Sequence, residues 1–140
     1  MNITGKICIG IIIIVILLFA IGTLMTQNEI NNNMEKVNIT NSCSVDLPKD
    51  IDFKRAGGTD NEGTFISLIG ELGGDWGRLI VDYEQSNNIT PQSNQTKPYH
   101  DVENDIYSCW VYNGNGHEKV EIRGDNPAIV EKVAGSVKFA

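Results

Sequence analysis

The sequence predicts an N-terminal transmembrane helix followed by an α+β domain: an antiparallel sheet with a C-terminal helix packed on it. Three observations carry this. Residues 7–28 read ICIGIIIIVILLFAIGTLMTQN, without a single charge. Beyond residue 36, short runs alternate apolar and polar residues and are punctuated by Gly, Asn and Pro, the pattern of half-buried strands joined by turns. Near the C-terminus the period changes, and Ile129, Val130, Val133 and Ala134 form one apolar stripe at helical spacing.

The apolar segment comes first in the chain and sets its location. About 20 residues at about 1.5 Å rise cross a hydrocarbon core of about 30 Å. Only a helix or a closed barrel pairs every backbone polar group inside lipid. A domain this small could not surround a helix that is apolar on every side. The flanks orient it: Lys6 and the amino terminus lie before it, and the first charges after it are Glu29 and Glu35. By the positive-inside rule, residues 1–6 are cytoplasmic and the domain is extracytoplasmic. Ala20 and Gly22 form a small-x-small pattern, so signal-peptide cleavage, leaving a secreted domain, is the alternative to an uncleaved signal anchor. The long apolar run favours the anchor. Cys8 lies at the wrong end of it for a lipobox.

Residues 29–36 are polar, with three consecutive Asn, and read as a tether to a domain spanning 37–140. In that domain Val37–Asn41 and Cys43–Leu47 alternate as two short strands, and Pro48 ends the run. Ile51 and Phe53 continue extended up to Gly57-Gly58, and residues 57–63 (GGTDNEG) read as a turn. Thr64–Ile69 and Arg78–Glu84 read as strands, the second with Leu79, Val81 and Tyr83 on one face, and residues 70–77 as a glycine-rich turn between them. Residues 85–98 contain two prolines and almost no apolar residue, which predicts a long exposed loop. Residues 99–105 carry only a weak signal, for a short helix or more loop. Ile106–Tyr112 reads as a central strand, Asn113-Gly114-Asn115-Gly116 as a hairpin turn, and His117–Arg123 as the return strand with Val120 and Ile122 inward. Asp125 or Asn126 can cap the last helix, with Pro127 at its first position and Gly135 at its end.

Composition excludes some functions. All 18 acidic residues follow the apolar segment, against 10 of the 11 basic ones, so the domain carries 10 − 18 = −8. Such a domain is repelled by phosphate backbones, which disfavours nucleic acid as a partner. There is no Gly-x-Ser-x-Gly elbow and no phosphate loop ending in Gly-Lys-Ser/Thr. The pairs His100-Asp101 and His117-Glu118 read as solvated polar residues. No catalytic, cofactor or metal-ligating set emerges. Cys43 and Cys109 are the two cysteines of the exported domain, each on an expected strand. They could form a disulfide, worth about 4 kcal/mol on the chain-entropy model, or remain buried thiols. Asn38, Asn88 and Asn94 head Asn-x-Thr sequons; Asn88 and Asn94 fall in the long polar loop, where a glycosylating host would find them accessible. Trp76, in a glycine-rich turn, is the large aromatic expected near the surface, as a lid over the sheet or as a partner contact.

The ending IYSCWVYNGNGHEKVEIRGDNPAIVEKVAGSVKF, a strand, NGNG turn, strand, Asn-Pro and helix, resembles the close of PsbP-like domains. The stretch VNITNSCSVDLPKDIDF resembles their opening hairpin, followed by a proline and an aromatic residue. The layout is also similar to small uncharacterised membrane-anchored surface proteins of methanogenic archaea. The resemblance implies an α+β fold; no functional residue is matched. The expected function is that of a single-pass, membrane-anchored extracytoplasmic protein with a binding or structural role toward a protein or surface ligand. An accessory subunit of a membrane complex is the alternative, and an enzyme ranks last.

Overall fold

The computed structural model describes residues 33–140, so the expected membrane segment at 7–28 lies outside the described residues. Among the described residues no helix is long and apolar enough to cross a membrane. Two antiparallel sheets and one helix make up the domain. Strands β1 (Met34–Thr40), β2 (Cys43–Pro48) and β9 (Lys138–Phe139) form a small sheet in the order β1-β2-β9. The larger sheet contains β3 (Lys54–Thr59), β4 (Thr64–Glu71), β5 (Arg78–Gln85), β6 (Gln95–Asp101), β7 (Ile106–Asn113) and β8 (Glu118–Gly124), in the order β3-β4-β5-β8-β7-β6. Helix α1 (Pro127–Gly135) follows β8. The α+β class expected from the sequence is therefore present.

The core lies between the inner face of the six-stranded sheet and a second layer made of α1 and the small sheet. Leu68, Leu79, Val81, Val120 and Ile122 face it from the large sheet, Ile39, Val45 and Leu47 from the small one, and Ile129, Val130 and Val133 from α1; all are buried. Helix α1 begins as its sequence dictates: the Asn126 side chain accepts from the Ala128 N–H at 3.0 Å, and Pro127 occupies the first turn. Its other end is tied to the small sheet, since the Ser136 hydroxyl donates to the Val133 carbonyl at 2.7 Å and accepts from the Asp46 N–H at 2.9 Å.

Three segments depart from the sequence expectation. The tether is shorter than 29–36, because Met34, Glu35 and Lys36 belong to β1. Gly57-Gly58 is strand, not turn: β3 runs to Thr59 as an edge of the large sheet, and the turn shrinks to residues 60–63, closed by Asp60 N–H to Gly63 O at 2.8 Å and by the Asp60 side chain accepting from Glu62 and Gly63. A Cβ at Gly57 would stand 2.0 Å from the Phe65 carbonyl oxygen, so glycine lets the two backbones approach. Residues 95–101 form β6 rather than loop or helix. Pro98 hid this strand in the sequence; it is tolerated because β6 is an edge strand and the register shifts between Gln95 and Tyr99.

Candidate functional site

The two faces of the large sheet are read off its register. On the inner face one cross-strand row runs Arg55, Leu68, Val81, Ile122, Cys109, and the next Gly57, Ile66, Tyr83, Val120, Val111. The row after that is polar throughout: Thr59, Thr64, Gln85, Glu118, Asn113. Each strand's inward-facing set thus ends in a polar residue at the same end of the sheet.

Glu118 is the centre of this row. It is only 5% exposed, yet hydrogen-bonded on both oxygens. Its Oε2 accepts from the Tyr83 hydroxyl at 2.6 Å and from the Ser42 hydroxyl at 2.9 Å, and its Oε1 accepts from Asn113 Nδ2 at 2.9 Å. A carboxylate offers about four acceptor directions, so three donors leave about one unused. Ser42 lies in the β1–β2 turn and also contacts Thr40 Oγ1 at 3.1 Å, so the carboxylate pins the small sheet to the large one. Burial pushes the Tyr83 hydroxyl up to about 12, with the hydrogen bond to Glu118 acting the same way. Burial also pushes the Cys43 thiol up to about 12, with Glu118 adding to it.

Above the row lies an open cleft of about 570 Å³ between the β1–β2 turn and the sheet, its polar lining including Thr40, Ser42, Arg55, Thr59, Thr64 and Gln85. The Thr59 and Thr64 hydroxyls contact each other at 2.9 Å. Arg55 donates to the Ile39 carbonyl across the cleft.

The outer face is different. Its rows run Lys54, Ile69, Ile80, Arg123, Ser108; then Ala56, Ser67, Asp82, Glu121, Trp110; then Gly58, Phe65, Glu84, Lys119, Tyr112. A chain of polar contacts crosses it: Ser67 donates to Asp82 at 2.6 Å, Arg123 pairs with Asp82 at 2.7 Å and Glu121 at 3.3 Å, and Lys119 pairs with Glu121 at 3.4 Å and lies 5.7 Å from the Tyr112 ring centre. Phe65 and Ile69 lie to one side, 49% and 45% exposed. On the other side Trp110 meets Tyr99, itself 57% exposed, edge to face at 6.5 Å. Among the described residues no element packs on this face.

The residues singled out from the sequence lie elsewhere. Trp76 is half-buried in a short 3₁₀ turn (Gly74–Trp76) joining β4 to β5, at the opposite end of the sheet from the polar row. Cys43 and Cys109 are both buried free thiols, and burial raises Cys109 to about 11. Asn38 and Asn88 are exposed, as is Asn94, whose Oδ1 accepts from the Tyr112 N–H at 2.8 Å. His100 stacks on Tyr107 at 4.4 Å with Asp105 Oδ1 3.0 Å away, and His117 is exposed in the β7–β8 turn. The expectation of a solvated Glu118 is corrected: this residue is buried, because it begins β8 in phase with Val120 and Ile122. That phase was visible in the sequence as E-x-V-x-I. Among the described residues, no group of three or more His, Cys, Asp or Glu is placed to hold a metal ion.

Comparison with protein families, with curated proteins and with solved structures finds no match for this chain.

Proposed function

We propose that the chain is a single-pass, membrane-anchored extracytoplasmic module that docks a protein partner on the outer face of its large sheet. The observation that supports this reading is the face itself: Phe65 and Ile69 are exposed on one side of it, Tyr99 against Trp110 on the other, and a linked set of charges runs between. Exposed aromatic and aliphatic side chains sharing a face with paired charges give it both kinds of contact that protein interfaces use. Charge supports a protein rather than a polyanion. The rows across β3 to β7 carry Lys54, Lys119 and Arg123 against Asp82, Glu84 and Glu121, a balanced patch on a domain of net −8. A neutral patch does not repel an acidic or mixed protein surface as the rest of the domain would.

The test is cross-linking in intact cells with a reagent that cannot cross membranes, followed by mild detergent extraction of the full chain. The expected result is a cross-linked protein partner that is lost in the double variant Phe65→Ser, Ile69→Ser. A stoichiometric partner that is itself membrane-bound would make the chain an accessory subunit. No product with the impermeant reagent, or undiminished capture by the variant, would overturn the reading.

A further inference from the structure

We infer that the cleft over the Thr59–Asn113 row binds a neutral, polyhydroxylated small molecule of saccharide type, at a site separate from the outer docking face. The floor and walls supply both halves of a hydroxyl's requirement. Glu118, nearly buried in the floor, fixes Tyr83, Ser42 and Asn113 in place beneath the cleft. The Thr59 and Thr64 hydroxyls and the Gln85 amide can each donate and accept. Charge narrows the ligand further. A cation approaching Glu118 meets Arg55 on the same cleft, and an anion approaching Arg55 meets Glu118 and an acidic domain, so neither sign is favoured. Ile39 and Ile66 add apolar surface against which a ring's C–H groups can rest. At about 570 Å³ the cleft lies within the usual size range of small-ligand sites.

The placement of the row strengthens the inference. A carboxylate is held nearly buried by three donors from three different elements, β5, β7 and the β1–β2 turn. Donors fixed this way present a preformed polar surface that need not be ordered when a ligand arrives.

The experiment is amide NMR of the full chain in detergent, titrated to millimolar concentration. The neutral probes are glucose, galactose, mannose, N-acetylglucosamine and their disaccharides; glucuronate and putrescine serve as charged probes. At least one neutral sugar should shift the amides of Ser42, Thr59, Thr64 and Gln85. The double variant Thr59→Val, Thr64→Val, which keeps the side-chain shape and alters only rim positions, should bind that sugar about tenfold more weakly with unchanged amide dispersion. The inference is overturned if no neutral sugar moves these amides, if only glucuronate or putrescine does, or if the variant binds the sugar as well as the parent.

Discussion

At Glu118 the side chain and its partners form one unit, so removing the carboxylate strands three donors together. Glu118→Ala should cost about 2–4 kcal/mol, read as a lower denaturation midpoint, because Tyr83, Ser42 and Asn113 lose their acceptor and a small void opens. Tyr83→Phe removes one of the three bonds and should cost about 1–3 kcal/mol. The same pair sets an alkaline limit. The Tyr83 hydroxyl is raised from 10.0 to about 12, so its contribution is complete below pH 10 and is lost as pH climbs to about 12, where the unfolded chain gives up the proton first. Cys43, raised from 9.0 to about 12, erodes stability in the same direction from lower pH. Denaturant midpoints between pH 9 and 12 should therefore fall, and Tyr83→Phe should flatten the part above pH 10. A midpoint that is flat for the parent would refute this.

Between elements, β5, β8 and α1 meet closely at Gly124. A Cβ on Gly124 would lie 2.8 Å from the Arg78 carbonyl oxygen and 2.9 Å from Val130 Cγ2, so Gly124→Ala must shift the β5 backbone and the Val130 side chain. A cost of about 1–3 kcal/mol is expected in equilibrium unfolding. Arg78 and Asp125 clamp the same junction, with Asp125 Oδ2 accepting from the Arg78 N–H at 2.7 Å and Oδ1 from the guanidinium at 2.8 Å. Arg78's side-chain hydrogen bond, then its backbone N–H, holds the Asp125 carboxyl below its ordinary value of 3.8. The clamp's contribution is therefore present above pH about 4 and fades as pH drops through the lower folded value. Asp125→Asn should flatten that acid limb of stability, and an unchanged limb in acid titrations would remove Asp125 from the account.

At the scale of the domain, the large sheet is covered on one side and, among the described residues, bare on the other. The covered side holds the core and the polar cleft; the bare side holds Phe65, Ile69, Tyr99 and Trp110 around a linked set of charges. Because Phe65 and Ile69 are about half exposed, the double variant to Ser used in the docking test should lower unfolding free energy by only about 1 kcal/mol per site, half of a full burial. Loss of partner without loss of fold is then the expected combination. A large drop in stability would mean that these side chains serve the sheet rather than a partner.

The α+β class, the strands β2, β5, β7 and β8, and the last helix with its Asn126 cap and its stripe of Ile129, Val130, Val133 and Ala134 were legible in the sequence. They are set by local periodicity and capping, which neighbouring residues alone determine. β3 and β6 were not. Gly57-Gly58 and Pro98 break the local pattern, and only an edge position with a partner on one side makes such residues acceptable in a strand. The polar row was half legible: Thr64, Gln85, Asn113 and Glu118 each share phase with the buried residues of their strand, but any one of them reads as an ordinary strand end. Pairing of β3, β4, β5, β8 and β7 in one register is what makes them a row, and the β1–β2 turn, far away in sequence, is what buries Glu118. Periodicity is a property of a segment; a site drawn from five strands and a turn exists only once long-range pairing has put them side by side.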